Sequence, residues 1–114
     1  MNYFLGIDIA KTNHVASLID KEGNIVIRAI KFTNSNEGFK KLLTTIQDKL
    51  DDLSNIDVAM EATGHYWLAL YFALVDNNFN VSVIILIKSN LIVVLIIIES
   101  KRMILLTLLL LLTF

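Results

Sequence analysis

Cysteine and proline are both absent from this 114-residue sequence. The absence of cysteine excludes a disulfide framework, a cysteine-ligated zinc site and a cysteine nucleophile. It also favours a reducing compartment, and the N-terminal residues lack the basic segment and long apolar core of a secretory signal, so we expect a cytoplasmic protein. The formal net charge is only −1, which excludes a basic nucleic-acid arm or an acidic tail as the main functional device.

Charged residues are scarce in the last part of the chain. Residues 81–114 include only four charged residues, and 24 of these 34 residues are apolar. Residues 1–80 carry seven basic and ten acidic side chains, a balance typical of an ordinary soluble domain. We therefore predict a folded domain over residues 1–87 and a separate apolar tail over residues 88–114.

Five short apolar runs predict β-strands. They cover residues 3–9, 14–19, 25–32, 56–60 and 81–87. The first run is continuously apolar apart from Asp8, which is typical of a strand buried on both faces. His14 lies in the second run, and we interpret it as a strand residue rather than a ligand. A polar turn around Gly23 connects the second and third runs, so the first three strands should form an antiparallel meander.

The stretch after the third strand shows the spacing of an amphipathic helix. Apolar residues recur every three or four positions from Phe39 to Leu53, and polar residues occupy the other face. Asn34 is the expected N-cap, and Glu37 follows it three residues later as in a capping box. We expect this helix to end near residues 51–52.

A second helical stretch follows Thr63, which is its expected N-cap. Its wide apolar stripe covers residues 67–75. Because Trp67 and Tyr71 belong to this stripe, we interpret them as core residues and not as a platform for stacking bases. His65, at the start of the stretch, is interpreted as a surface residue.

The resulting order of elements is β-β-β-α-β-α-β. A strand–helix–strand connection is normally a right-handed parallel crossover. A three-strand meander joined to two such units is the arrangement of the RNase H-like fold. The sequence therefore predicts an α/β domain of the RNase H-like (RuvC-like) class, incomplete at its C-terminal side.

Two acidic residues lie where the chemistry of such a sheet is usually found. Asp8 is near the end of the first strand and Glu61 directly follows the fourth, and ligands of α/β sheets bind beyond the carboxyl ends of strands. If these strands are neighbours, the two carboxylates converge and repel each other unless a cation lies between them. Mg²⁺ is typically held by one or two carboxylates with phosphate and water. The alternative is that each acid is structural and hydrogen-bonded to backbone amides.

Two segments carry a closer likeness. Residues 6–11 (Gly-Ile-Asp-Ile-Ala-Lys), with His14 following, and residues 59–67 (Ala-Met-Glu-Ala-Thr-Gly-His-Tyr-Trp) resemble the insertion-sequence transposases with a RuvC-like DEDD domain, relatives of the Piv DNA invertase. The resemblance covers about residues 3–84. It implies that Asp8 and Glu61 are the first two catalytic acids and Mg²⁺ ligands. In the intact family two Mg²⁺ ions act, and the partners are DNA and a bridge RNA that serves as guide.

The resemblance also implies parts from which this sequence departs. The other two acids of the family form an Asp-x-x-Asp pair shortly after the fifth strand, and a C-terminal domain supplies a serine for strand exchange. No acidic residue follows Glu99 in this sequence. We therefore expect a truncated transposase fragment that does not cleave DNA as it stands.

Two other interpretations stay open. Sugar kinases of the actin-like fold also begin with a strand ending in Gly-Ile-Asp, but they need glycine where this chain has Ala10. The alternative to an enzyme fragment is a small membrane-associated or self-associating protein built on a degenerate RNase H-like domain. The apolar runs at 91–98 and 103–114 are each shorter than the roughly 20 residues of a membrane span, which disfavours a membrane partner. They predict an aggregation-prone strand and helix.

The loss of the expected acids coincides with the change in composition, which indicates a change of reading frame after about residue 90. One codon choice for Lys-Asn-Asp-Ser-Ile-Asp-Ala-Leu, read one nucleotide later, encodes Arg-Met-Ile-Leu-Leu-Thr-Leu. That heptapeptide is the sequence of residues 102–108.

We predict that the encoding DNA, resequenced beyond codon 90 and translated in all frames, contains an Asp-x-x-Asp segment in another frame. It should lie under about Met103 to Thr107 and be followed by a long open frame. The absence of such a segment would contradict the frameshift and favour the apolar tail as a selected feature.

Overall fold

The computed structural model describes residues 2–62, 64–88, 92–99 and 102–109, and describes side chains as far as residue 85. Within these ranges the predicted order of the first seven elements is confirmed, and two strands follow it. The elements are β1 (Tyr3–Asp8), β2 (Asn13–Asp20), β3 (Ile25–Thr33), α1 (Asn36–Gln47), β4 (Ile56–Glu61), α2 (Leu68–Asp76), β5 (Asn80–Lys88), β6 (Ile92–Glu99) and β7 (Arg102–Leu109).

The described strands form one sheet in the order β3-β2-β1-β4-β5-β6-β7. β1, β2 and β3 form the predicted antiparallel meander. β4 lies parallel to β1, and β5 lies parallel to β4. Each of these parallel strands is reached through a helix, because a parallel neighbour needs a crossover connection. This mixed sheet with two helices confirms the predicted α/β class and is compatible with an RNase H-like domain.

A single hydrophobic core lies between one face of the sheet and both helices. Alternate residues of each strand point into it, as the two-residue period of a strand requires. The buried apolar side chains are Leu5, Ile7, Ile9, Ala16, Leu18, Ile30, Phe32, Leu42, Ile46, Ile56, Val58, Met60, Trp67, Leu70, Tyr71, Leu74, Phe79, Val81 and Val83.

The expectation that the first strand is buried on both faces is wrong. Leu5 and Ile7 face the core, whereas Phe4, Gly6 and Asp8 lie on the opposite face and are exposed. The physical reason is that α1 and α2 pack on the same side of the sheet. In the described part of the chain no helix covers the other side, which we call the open face.

The N-terminus of α1 differs from the expected capping box. Ser35, not Asn34, is the N-cap, and its Oγ accepts a hydrogen bond from the backbone N–H of Gly38 at 3.0 Å. Asn34 instead donates from Nδ2 to the backbone oxygen of Tyr66 at 3.3 Å. The asparagine therefore connects the start of α1 with the segment before α2.

The C-terminus of α1 also lies earlier than expected. The helix ends at Gln47, and Leu53 belongs to a separate 3₁₀ turn, Leu53–Asn55. Asp52 caps that turn, accepting a hydrogen bond from the N–H of Ser54 at 2.9 Å. A hydrogen bond from the Ser54 hydroxyl lowers the pKa of the Asp52 carboxyl. Leu50 and Leu53 still pack against the core, which is why the apolar spacing of the sequence continues beyond the end of the helix.

The turn between β2 and β3 follows the sequence prediction. Gly23 has a φ of 88°, a conformation that glycine adopts without strain. The Asp20 carboxylate accepts hydrogen bonds from the backbone N–H groups of Asn24 at 2.8 Å and Glu22 at 3.0 Å. The bond from Asn24 is the main reason why the pKa of Asp20 lies below its ordinary value.

Two further expectations concern α2 and the tail. α2 begins at Leu68 after Trp67, so the predicted start is one turn too early. Thr63, its predicted cap, lies outside the described residues.

Within the tail, Arg102–Leu109 is a strand that pairs with β6, where a helix was expected. Apolar runs without a helical period pair as strands when a neighbouring strand edge is available. Among the described residues, no helix is long and apolar enough to cross a membrane.

Substitution of Gly38 tests how closely α1 packs against the sheet. A Cβ placed at Gly38 would collide with the backbone oxygen of Thr33 and lie 2.7 Å from its Oγ1 atom. We therefore predict that Gly38→Ala lowers the free energy of unfolding by about 1–3 kcal/mol, the usual cost of overpacking. This sign is opposite to the gain of about 1 kcal/mol expected from helix propensity alone.

Urea denaturation monitored by circular dichroism would measure this effect. The matched control is Lys40→Ala, which changes an exposed position of the same helix and should leave the unfolding midpoint nearly unchanged. A Gly38→Ala chain as stable as the parent would show that α1 does not approach Thr33 so closely.

Candidate metal centre

The two acids singled out in the sequence are paired in the sheet. β1 and β4 run parallel, and their register places Asp8 directly beside Glu61 at the carboxyl ends of both strands. Neighbouring strands are about 4.8 Å apart, and both residues lie on the open face and are exposed. The structure thus fulfils the condition under which the two carboxylates were expected to converge.

The two acids lie in a shallow depression, flanked by Val15 and Ile84 in their own row and by small residues in the next row. Gly6, Ser17 and Ala59 form the next cross-strand row on the open face, one pleat away from the acids. A Cβ placed at Gly6 would meet no heavy atom within 4 Å. Together with Asp8, Glu61 and their neighbours, these residues line an open depression of about 710 Å³. A large ligand can therefore approach the acids without any rearrangement of the described residues.

Neither acid is held by another group in the described part of the chain. No hydrogen bond or ion pair is formed there by the side chain of Asp8 or Glu61. By contrast, Asp57, at the opposite end of β4, accepts a hydrogen bond from Asn80 Nδ2 at 3.1 Å. The structural alternative, in which Asp8 or Glu61 caps backbone amides, is therefore not what the structure shows.

Several hydrogen bonds among the described residues hold the backbone after Glu61. The N–H of Ala62 donates to Ile84 at 2.8 Å and extends the pairing of β4 with β5. Gly64 has a φ of 61°, and its carbonyl oxygen accepts a hydrogen bond from Trp67 Nε1 at 3.1 Å. A third is the bond from Asn34 to Tyr66 described above. These bonds show why glycine and tryptophan stand at these positions of the 59–67 segment.

Two hydrogen bonds hold the backbone after Asp8. The N–H of Ala10 donates to Nδ1 of His14 at 3.1 Å, and the N–H of Asn34 donates to the carbonyl oxygen of Thr12 at 2.9 Å. His14 is a strand residue, as predicted, but this hydrogen bond was not foreseen. Its only sequence signal is its position shortly after the Gly-Ile-Asp segment.

The remaining residues considered in the sequence take the places expected for them. Trp67 and Tyr71 are buried in the core, with their rings 5.7 Å apart in an edge-to-face arrangement. His65 is exposed, as predicted. The aromatic residues of α2 therefore do not form a base-stacking surface.

The donor set is compatible with a divalent cation. Magnesium sites typically use one or two protein carboxylates and complete the coordination with water and substrate phosphate. Asp8 and Glu61 supply two such carboxylates side by side on an accessible surface. Among the described residues, no group of three or more histidine, cysteine, aspartate or glutamate side chains lies close enough to enclose a metal by itself.

Comparison with known families agrees with this geometry. Residues 5–101 match the sequence model of the DEDD transposases of the IS110 group, described as transposases. The chain belongs to the DEDD transposase family. Members of this family generally use a divalent metal ion. The match extends beyond residue 84, the end of the resemblance described above, and it includes β6; the boundary at residue 87 stays a prediction.

Curated relatives point the same way. The pilin gene-inverting proteins of Moraxella bovis and Moraxella lacunata are each 32% identical to this chain over 81 residues. The alignment covers 71% of this chain but only 24% of each relative. The chain therefore spans about a quarter of the length of these relatives.

Solved structures give weaker likenesses. An ethanolamine utilization protein EutJ from Carboxydothermus hydrogenoformans has a TM-score of 0.37 and 9% identity, covering 96% of this chain and 53% of that one. A Ppx/GppA family member from Aquifex aeolicus has a TM-score of 0.41 and 8% identity, covering 94% and 51%. At these TM-scores the likenesses carry no argument about this chain.

Neutralising either acid should weaken metal binding. We predict that Asp8→Asn and Glu61→Gln each weaken Mn²⁺ binding at least tenfold, because a site with few protein ligands loses half of its carboxylates. Isothermal titration of the 114-residue chain with Mn²⁺ would measure the affinity. Asp51→Asn is the matched control, since it removes the same charge from an exposed loop position. Equal affinities for the parent and Asp8→Asn chains would contradict the assignment.

Proposed function

We propose that this chain is the part of a transposase or site-specific DNA recombinase that supplies the first two catalytic acids, Asp8 and Glu61. The observation that carries the proposal is their in-register pairing at the carboxyl ends of two parallel strands, on an open face. The family and the pilin gene-inverting relatives support the same reaction class, cleavage and rejoining of DNA.

In this proposal the residues of the chain bind, orient and expose a cation. Asp8 and Glu61 hold Mg²⁺, and the ion, when bound, stabilises the charge that develops on the oxygens of a phosphodiester during displacement. Gly6 and Ala59 carry little or no side chain in the adjacent row, so a DNA backbone can lie across the strands. Binding of the cation also offsets the repulsion between the two adjacent carboxylates.

The same proposal predicts that the chain is inactive. Two carboxylates hold at most part of a two-ion site, and the sequence has no acidic residue after Glu99 from which the family's Asp-x-x-Asp pair could be formed. Residues 1–80 carry more acidic than basic side chains, so this part makes few phosphate contacts by itself. Contacts with DNA and with a guide RNA therefore depend on other segments of an intact protein acting in the cytoplasm.

Self-association is the second candidate, and it draws on the end of the sheet. Among the described strands, β7 lies at one edge of the sheet. An edge strand offers backbone N–H and C=O groups to another chain, and this one is formed from an almost uncharged apolar sequence. A second copy paired along β7 would make the tail an assembly element and leave Asp8 and Glu61 as relics.

A DNA nicking assay tests the proposed function. We predict that the purified 114-residue chain does not nick supercoiled plasmid in Mg²⁺, because half of the acids are missing. We also predict that the frame-restored protein, with an Asp-x-x-Asp segment after β5, nicks DNA in a Mg²⁺-dependent manner.

The variants decide which residues carry the reaction. Asp8→Asn and Glu61→Gln should abolish nicking by the frame-restored protein, and Asp51→Asn should retain it. Nicking by the 114-residue chain that disappears in Asp8→Asn would overturn the claim of inactivity. Nicking by the restored protein that survives Asp8→Asn would overturn the assignment of the acid.

A further inference from the structure

Apart from the aromatic residues Trp67 and Tyr71, His14 is the only buried side chain with a polar group in the part of the chain whose side chains are described, and 0% of its surface is exposed. It projects from β2 into the core, on the face of the sheet opposite to Asp8, and its ring lies edge-on to Phe32 at 5.3 Å. Polar side chains are rarely kept in such a position unless a specific hydrogen bond compensates for their burial.

One such bond is present, and it fixes the tautomer. Nδ1 of His14 accepts a hydrogen bond from the backbone N–H of Ala10 at 3.1 Å. A neutral imidazole has a single N–H, so a ring that accepts at Nδ1 carries its proton on Nε2. Nε2 is buried and has no hydrogen-bond partner among the described residues. The hydrogen bond from Ala10 is therefore the polar contact that the His14 ring makes among the described residues. An apolar ring at this position would avoid the cost of burying Nε2 but would lose this hydrogen bond.

The atom that His14 holds lies close to the candidate metal centre. β1 ends at Asp8, the next side chain, Ile9, is buried, and Ala10 begins the turn that leads to β2. The turn is tied at two points, at Ala10 by His14 and at Thr12 by Asn34. Asp8 is paired with Val15 and Glu61 in the sheet, and the backbone that His14 holds begins two residues after it.

We propose that His14 is a positioning residue, whose Nδ1 atom fixes the turn after β1 and thereby orients the Asp8 carboxylate for a cation. His14 acts through the backbone from the helix-covered side of the sheet and touches neither the cation nor DNA. The proposal rests on the proposed function in one respect, namely that Asp8 is a metal ligand. Groups that orient a metal ligand typically contribute about 10–100-fold to metal affinity.

Three substitutions separate the hydrogen bond from packing. His14→Asn places its Oδ1 atom near the position of Nδ1 and can still accept from Ala10. His14→Gln places its polar atoms near the position of Nε2, and His14→Phe keeps an aromatic ring without any acceptor. Thermal unfolding of each variant identifies a temperature at which all chains are folded, and the measurements are made there.

The first readout is the affinity of the 114-residue chain for Mn²⁺ alone. We expect His14→Phe and His14→Gln to bind Mn²⁺ about tenfold more weakly than the parent, and His14→Asn to stay within about twofold. Equal affinity in the parent and His14→Phe chains would overturn the positioning role and leave the proposed function intact. Weakened binding in His14→Asn as well would also overturn it, because the loss would then follow the ring and not the acceptor.

The second readout needs no metal, and its first part needs only the parent chain. In the parent chain labelled with ¹⁵N, we expect a scalar coupling between the Ala10 amide nitrogen and Nδ1 of His14, and slow exchange of the Ala10 amide proton. The absence of both would overturn the proposal. If both are present and His14→Phe loosens residues 9–12 while His14→Asn does not, positioning of the turn stands even when the parent binds no Mn²⁺. Absence of Mn²⁺ binding by the parent chain would instead refute the metal site in the proposed function.

Discussion

The parallel pairing of β1 with β4 is the constraint on which the rest of the structure depends. It places the carboxyl ends of two strands at one edge of the sheet, and its register puts Asp8 beside Glu61 rather than beside Met60. Since side chains alternate between faces, a shift by one residue would turn one of the two acids into the core. The buried residues Leu5, Ile7 and Val58 oppose such a shift, so the same packing that stabilises the domain also determines the geometry of the acids.

The positions of the two helices determine which face of the sheet is accessible. Both lie on one side of the sheet, and the acids lie on the other, where the described residues leave the surface open. The face that carries the acids is therefore free of the buried core side chains. Its next row, Gly6, Ser17 and Ala59, is small, whereas Val15 and Ile84 flank the acids themselves. Side chains on the helix-covered side of the sheet contact the backbone next to the acids, as the hydrogen bonds between Ala10 and His14 and between Gly64 and Trp67 illustrate.

Much of this arrangement is readable from the sequence, because it depends on local periodicity. The strands, the two helices and their order follow from apolar spacing, and Asp8 and Glu61 stand out as acids at strand ends. The open face is not readable in this way, since an apolar residue such as Phe4 does not reveal whether a helix will cover it. The N-cap of α1 was misassigned because Asn34 and Ser35 are both good caps, and the choice depends on the distant contact of Asn34 with Tyr66. The strand at Arg102–Leu109 was not predicted, because its apolar sequence is compatible with a helix or a strand. Pairing with β6, a tertiary interaction, decides between the two.

The wide separation of Asp8 and Glu61 along the chain has a consequence for how the domain folds. The whole of β2, β3 and α1 lies between them, so the meander is formed from local contacts whereas the β1–β4 pair is not. Contacts between distant parts of a chain form late, because the entropy of closing the intervening loop is lost before the contact is gained. During synthesis, β1 therefore lacks one of its two neighbouring strands until β4 has been made. The acid pair can form only after β4 has been made, so a chain that ends before residue 61 cannot bring the two carboxylates together.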